Sequence, residues 1–417
     1  MKELQDYKRD IWNCFRDSMC KSVFTWHLRS AEFYQICPSL SRYKFDAYSA
    51  QGRVDIARAI IEDEIEWSDK IAEIIYQDPL CGACNYICGR IKEMQPCDII
   101  QAMRVQFIKD GNSPPGGFRN LMESLKKFQN PYEKPNAQRA KWLNELIKEF
   151  HEETDMDVTI PEGKATDTIL YVGCSPLRDR SAEAMPKTAL KLLIKAGVNV
   201  GILGEQEKCC GNPSLRVGDQ TEFVAFAREN IKKFNELGVN KVVCTCPFCY
   251  STFKRDYPEV GDKMNFQVFH ILEFVDQLIK EGKIKLTKPV NLSVTYHDPC
   301  HLGRLSENGI CGTGDFTGIY DQPRDILRSI PGIRLMEMDR IKDDSWCCGA
   351  GGWLRNGYPD LAQWTAGERI NEAKTTGAEA IATYCPHCEE NMGEALVSKG
   401  DKMKVLNLLD LALKAIP

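Results

Sequence analysis

Over roughly the first 110 positions, apolar side chains recur at intervals of three and four, as in GRVDIARAIIEDEIEWSDKIAEIIYQ at 52–77. That spacing puts them on one face of a helix and predicts a mainly helical region. The pattern breaks at GNSPPGG and again at NPYEKPN, where glycine and proline forbid regular structure. Between the second break and the next strand, AQRAKWLNELIKEFHEE reads as one amphipathic helix. From about position 166 onward the period alternates between that of a strand and that of a helix.

This alternation occurs twice. The first copy runs TILYVGC, a helical AEAMPKTALKLLIKAG, a strand in VNVGILGE, the helix EFVAFARENIKKFNELG and the strand KVVCTCPFC. The second runs LSVTYHDPC, a helix near PRDILRSI, a strand near IRLMEM, the helix DLAQWTAGERINEAKTTG and the strand AEAIATYCPHC. Strand, helix, strand, helix, strand implies a parallel α/β unit, here duplicated. We therefore expect a helical domain at 1–110, a connector without chemistry of its own at 111–165, and α/β repeats at 166–290 and 291–417.

Composition narrows the class. A chain of 417 residues with a net charge of −5 has room for two or three cores and no basic footprint for nucleic acid. No uncharged apolar run approaches the ~18 residues that a membrane span needs. The opening MKELQDYKRDIWNC lacks the apolar segment of a secretory signal, so the cytoplasm is the expected compartment. The outlier is cysteine, with 19 residues, an odd number. Disulfide scaffolds belong to small secreted domains, whereas a large cytosolic chain keeps its thiols reduced. Metal ligation is the better reading.

In both copies the cysteines fall where strands end, the edge at which open α/β sheets build their sites. The first copy offers Cys174, the vicinal pair Cys209 and Cys210, then Cys246-Pro-Phe-Cys249. The second offers Cys300, Cys347 and Cys348, then Cys385-Pro-His-Cys388. A lone CxxC fits zinc, a redox disulfide or an iron–sulfur cluster equally. Five convergent thiols exceed the four that tetrahedral zinc accepts, and a cluster of several irons can use them all. Glycines after the vicinal pairs (Gly211; Gly349, Gly351 and Gly352) allow the backbone to approach a bulky inorganic core. A structural zinc site in each half is the competing reading.

CCGNP, CPFCY, YHDPCHLGR, CCGAGGW and CPHCEEN together resemble the duplicated cysteine-rich CCG domains of heterodisulfide reductase. The likeness is greatest to the D-type subunit, which fuses a ferredoxin region to the B-type catalytic region, and it covers nearly the whole chain. The resemblance implies a helical ferredoxin-like domain followed by two Rossmann-like α/β CCG domains. It also implies one or two non-cubane 4Fe–4S clusters on Cys174, Cys209, Cys210, Cys246 and Cys249 and on Cys300, Cys347, Cys348, Cys385 and Cys388. Glycolate, glycerol-3-phosphate and lactate oxidation subunits share the domain, often with one motif degraded; here both are complete. One departure is an apparent insertion, SENGICGTGDFTG, which carries Cys311 and matches no motif position. Cys244 is also surplus and reads as a small buried strand residue.

The N-terminal region carries Cys81, Cys84 and Cys88 in CGACNYIC, then Cys97, with Cys14, Cys20 and Cys37-Pro38 upstream. It resembles a degraded two-cluster ferredoxin module, in which a C-x2-C-x2-C run borrows its fourth ligand from a distant Cys-Pro. One cubane cluster is expected on Cys81, Cys84, Cys88 and either Cys37 or Cys97. A second would have Cys14, Cys20 and the remaining cysteine, with His27 as an optional fourth ligand. His297, His301 and His387 flank the second motif and could hydrogen-bond cluster sulfurs or donate protons. Lys208, Arg304 and Arg324 could attract an anionic substrate. No GxGxxG or Walker motif is present, so electrons must come from a flavoprotein or cytochrome partner, through which any membrane association would also arise. The leading expectation is the iron–sulfur subunit of a heterodisulfide-reductase-type complex acting on a disulfide. The alternatives are an electron relay in an electron-bifurcating dehydrogenase or benzoyl-CoA reductase type of assembly, and a zinc-stabilised binding module.

Overall fold

The computed structural model describes residues 1–139, 141–154, 160–162, 166–306 and 318–417. Short runs rich in β-branched and aromatic residues form eight strands. They are β1 (Thr168–Tyr171), β2 (Val200–Ile202), β3 (Lys241–Cys244), β4 (Gln267–His270), β5 (Leu292–Tyr296), β6 (Ile333–Leu335), β7 (Ala380–Thr383) and β8 (Lys404–Asn407). They assemble into two four-stranded sheets of order β2-β1-β3-β4 and β6-β5-β7-β8. Every pairing is parallel, with Ile169 opposite Gly201 and Val242 in the first sheet and Thr295 opposite Ile381 in the second. The central strands are buried on both faces, as parallel sheets require.

The expected α/β repeat is therefore present, with one strand more per copy than the sequence suggests. β4 and β8 lie at the sheet edges and are only partly buried, so their four residues lack a long apolar run. Each sheet has its first strand in the middle, and the chain leaves it first to one side and then to the other. The crevice at the carboxyl ends of β1 and β3, and of β5 and β7, is the topological switch point where such sheets bind ligands.

Helices pack on these sheets and on each other. Gln220–Leu237 is started by Asp219, whose carboxylate accepts the Glu222 N–H, and stopped by Gly238 at φ 63°. The N-terminal run with helical spacing forms two helices, Ala50–Ile61 and Asp69–Tyr76, the second capped by Ser68. Both CPxC motifs have a common local logic. Pro247 and Pro386 occupy the first helical turn, where a missing N–H costs nothing, and this leaves Cys246 and Cys385 at the N-caps. Their sulfurs thus lie at helix N-termini, whose partial positive charge favours thiolate. Cys37 caps Pro38–Tyr43 in the same way.

Candidate functional site

In the first half, three chain segments converge on one group of thiols. Cys174 Sγ is within hydrogen-bonding reach of Cys209, Cys209 of Cys210, Cys210 of Cys249, and Cys249 of Cys246. The Gly211 N–H donates to Cys209 Sγ at 3.4 Å, and Gly211 holds φ +82° to do so. Neighbouring thiols and then burial push Cys174 and Cys249 up, but two thiols of the group are held low. Burial would raise Cys210, yet hydrogen bonds from Cys209 and Cys249 outweigh it and bring the thiol down to about 6. Burial would raise Cys246 as well, but Cys249 and the His387 ring hold it well below the usual range.

The second half repeats this arrangement. Cys347 reaches Cys300 and Cys348, and Cys388 reaches Cys348 and Cys385. The Gly349 N–H donates to Cys347 Sγ at 3.3 Å. Cys348, equivalent to Cys210, is held low by Cys347 and Cys388 and then by His297. Donor atoms of His297, Cys348 and Cys388 all lie within 4.8 Å of one another, a spacing that could suit a metal ion. His297 is nevertheless a donor here. Arg369 Nε–H points at its Nδ1 from 3.1 Å, and a guanidinium can only donate, so in the neutral ring the hydrogen sits on Nε2. That nitrogen is buried without a partner at ordinary hydrogen-bond distance, and the thiol that acts on the ring is Cys348.

The two groups adjoin. Phe248 and His387 occupy the same position in their CPxC motifs and stack on each other, with centroids 4.4 Å apart at 24°. His301 packs on the other side of Phe248 at 4.1 Å, and its Nδ1 pairs with the Ser251 hydroxyl at 2.6 Å. Beside this junction is a cavity of about 360 Å³ lined by Tyr132, Arg178, Trp353, Arg355, His387 and Glu390, among others. A larger cavity of about 490 Å³, near Tyr7 and Arg255, has no thiol in its lining. The smaller one has none either, but His387 on its wall also acts on Cys246, which ties it to the thiols.

The remaining thiols form two further groups. Cys81 and Cys97 share an apolar cluster with Cys300 and Cys347, with Cys84 packed against it, and Cys81 lies within hydrogen-bonding reach of Cys347. The Cys88 thiol instead has Cys14 and Asp17 as neighbours, and Cys20 has Cys88. Cys37 neighbours Arg53, Asp78 and Cys81. The His27 Nδ1 pairs with Asp344, at 2.8 Å.

The donor chemistry fits iron–sulfur clusters. All 18 described cysteines are free thiols, so no disulfide competes for them. Each five-thiol group also faces a buried guanidinium that the protein leaves partly unanswered. Arg139 pairs with buried Glu207 at 3.1 Å, yet its Nε and one terminal nitrogen have no partner. Its charge opposes the rise that Cys209 and burial impose on Cys174. Arg304 donates to the carbonyls of Cys81, Asp343 and Ser345, and among the described residues it has no carboxylate ion pair. Buried cations of this kind call for an anionic centre, which ligating thiolates supply.

Several sequence expectations change on this geometry. Arg304 and Arg324 are buried, not exposed anchors, and Arg324 is tied to Asp298 and Glu337 at 2.7 Å each. Lys208 pairs with Glu229 at 2.7 Å. The 111–165 segment, expected to carry no chemistry, supplies Arg139 and Tyr132. Its Gln129 carbonyl also accepts the Cys209 N–H at 3.2 Å. Nothing in the sequence pattern marks these residues, because their role depends on a fold-back onto β1. Cys244 is a fully buried strand residue as expected, and Cys311 lies outside the described residues.

Residues 168–254 and 294–393 match the family of cysteine-rich CCG domains. Fold and thiol geometry together define a duplicated cysteine-rich iron–sulfur oxidoreductase. The sequence is 34% identical over 340 residues to the D-type subunit of the dihydromethanophenazine:CoB–CoM heterodisulfide reductase of Methanosarcina mazei, covering 81% of this chain and 76% of that one. The corresponding protein of Methanosarcina barkeri is 30% identical over 379 residues, 90% of this chain and 85% of the relative. The chain belongs to the family of D-type heterodisulfide reductase subunits and is part of an oxidoreductase. It is also 31% identical over 356 residues to the EtfAB:quinone oxidoreductase of Syntrophomonas wolfei, covering 83% of this chain but 47% of that protein. No helix of the described residues is long and apolar enough to cross a membrane.

Proposed function

We propose that this chain is the disulfide-reducing subunit of a heterodisulfide-reductase-type complex. The observation that carries the reading is the 360 Å³ cavity walled by His387, a residue of the second CPxC motif whose ring also acts on Cys246 of the first. Cys174, Cys209, Cys210, Cys246 and Cys249 would hold one non-cubane 4Fe–4S cluster, and Cys300, Cys347, Cys348, Cys385 and Cys388 the other. Cys81, Cys84, Cys97 and Cys37 would hold a cubane cluster, and Cys14, Cys20 and Cys88 most of a second. A flavoprotein or cytochrome partner would feed them. When bound, the clusters supply electrons one at a time to a disulfide.

The protein's own groups do the rest. Reduction of a disulfide to two thiols consumes two electrons and two protons. His387 lines the cavity and touches Cys246, so its ring can pass a proton to a leaving sulfur. Tyr132 keeps its phenolic proton, because burial and the nearby Cys174 push its ionisation far up, and it is a second donor. Arg178 and Arg355 line the cavity and share the Glu390 carboxylate. A disulfide with anionic tails, as the CoB–CoM name of the relatives implies, can compete for these guanidiniums.

The test is turnover of the anaerobically prepared chain with reduced viologen and a mixed disulfide of anionic thiols. Arg355→Ala should raise KM about tenfold, the loss of one charge-assisted contact of ~1.4 kcal/mol. Full iron and sulfide without turnover would favour the relay reading, which the resemblance to the EtfAB:quinone oxidoreductase supports. Zinc without iron or sulfide would sink both.

A further inference from the structure

The N-terminal thiols divide unevenly. Cys37 neighbours both Cys81 and Cys20, and giving it to Cys81, Cys84 and Cys97 as their fourth leaves Cys14, Cys20 and Cys88 as three. Between Cys14 and Cys20 the chain reads Cys-Phe-Arg-Asp-Ser-Met-Cys. Asp17 therefore stands three residues from each cysteine, where a C-x2-C-x2-C run would place its middle ligand.

The local backbone folds around this residue. Arg16 and Ser18, on either side of Asp17, both take left-handed conformations, at φ 57° and 66°. Neither is glycine, so the tight double turn is held from outside, in part by the Ser18 N–H donating to Gln51 Oε1 at 3.1 Å. The Asp17 carboxylate accepts the Met19 N–H at 3.1 Å and pairs with Lys92, whose side chain is only 8% exposed. Lys92 lies one helical turn beyond Cys88 on Ala83–Lys92, so both project from the same helix face. After burial, the groups acting on the Cys88 thiol are Lys92, Cys14 and Asp17.

We propose that Asp17 supplies the fourth, oxygen ligand of an iron–sulfur cluster held by Cys14, Cys20 and Cys88. The proposal rests on the reading that the N-terminal thiols bind clusters. Each carboxylate oxygen has two acceptor positions, so one can face iron while the contacts to Met19 and Lys92 persist. Lys92 then offsets part of the charge that three thiolates and a carboxylate bring together. The Nδ1 of His27, the other candidate, is taken up by Asp344 and the Tyr86 hydroxyl. Carboxylate oxygen is a harder and weaker donor to iron than thiolate, so the iron on Asp17 is the one that leaves first.

The experiment uses the full chain, prepared anaerobically and treated with ferricyanide. A four-iron cluster at charge 2+ yields a three-iron cluster at 1+, one Fe²⁺ and one electron, which ferricyanide accepts. The wild type should show the three-iron paramagnetic signal on oxidation and lose it again with ferrous iron and a reductant. Asp17→Cys should block the conversion while keeping full iron. Asp17→Ala should show the three-iron signal without oxidant and contain one iron fewer per chain. Cys37→Ala should leave this signal intact and alter a different one. If both Asp17 variants match the wild type in iron content and spectra, the ligand assignment is overturned while the cluster reading stands. Absence of iron and sulfide from the wild type would overturn the underlying reading instead.

Discussion

Replacing His297 by phenylalanine removes two interactions at the second five-thiol group, the Arg369 N–H donated to its ring and the ring's own contact to Cys348. His297 is 1% exposed, the Arg369 guanidinium fixes its tautomer with the hydrogen on Nε2, and its ring interacts with the Cys348 thiol. A hydrogen bond to a charged acceptor contributes about 1.5–3 kcal/mol. For a one-electron couple, where 59 mV corresponds to ~1.4 kcal/mol, its complete loss from one oxidation state alone would amount to roughly 60–130 mV. The bond exists in both states and is stronger in the reduced, more anionic one, so only the difference is lost. The expected result is a fall of about 20–60 mV in the potential of the second centre. Phenylalanine fills the same space, and Arg369 keeps its contacts to the Arg340 carbonyl, Glu372 and Ser345, so gross collapse is not expected. The assay is a redox titration followed by paramagnetic resonance, with the first centre as internal control. An unchanged or higher potential in the second centre would refute the argument.

Three further outcomes follow from the packing. Gly349→Ala should strip iron from the second centre, because Gly349 sits at φ +90° and a Cβ would meet the Ala362 carbonyl oxygen at 2.3 Å. Gly377→Ala, at φ +70° with open space around it, should retain full iron in the same analysis. Arg324→Met leaves Asp298, 3% exposed, without its cation, and should cost about 3–5 kcal/mol, read as a lowered denaturation midpoint. His270 is held down at about 3 by burial, so the folded chain takes up fewer protons than the unfolded one between pH 3 and the usual 6.5. Its contribution is complete above pH 6.5 and is lost as pH falls through that window. His270→Asn, which retains a helix cap, should flatten the fall in melting temperature over this range.

Much of the architecture is legible in the chain because it repeats. Strand and helix periods recur in the same order, and cysteines punctuate both copies at the same strand ends, which suffices to place ten thiols in two groups. The features without a sequence signal depend on contacts between distant positions. β4 and β8 are short edge strands, stabilised by pairing with β3 and β7 more than by any pattern of their own. Arg139 has the sequence context of an ordinary surface cation in a connector, yet it is buried against Glu207 beneath β1. Glu207, pushed up to about 7 by burial and accepting the Val172 and Gly173 N–H groups, is equally silent. Asp17 differs, since its spacing stands in plain view between two cysteines. Aspartate is common on surfaces and rare as a cluster ligand, so only its fold-back beside Cys88 and Lys92 sets it apart.

The two α/β copies are alike in ligands but not in surroundings, and the differences impose an order. Thiol-to-thiol contact with the N-terminal region comes, among the described residues, from the second copy, through Cys81 and Cys347. The first copy meets the second through Cys246 and the His387 ring, with Phe248 stacked between His387 and His301. On the proposed reading, electrons entering at the N-terminal region arrive first at Cys300, Cys347 and Cys348 and only afterwards at Cys174, Cys209 and Cys210. The cavity opens beside this second junction, where both five-thiol groups are close at hand. A relay needs only a line of centres, and a line would be served by one copy. Duplication with both ligand sets intact, joined at His387 on the wall of one cavity, suits a reaction whose substrate has two sulfurs to separate and must receive two electrons singly.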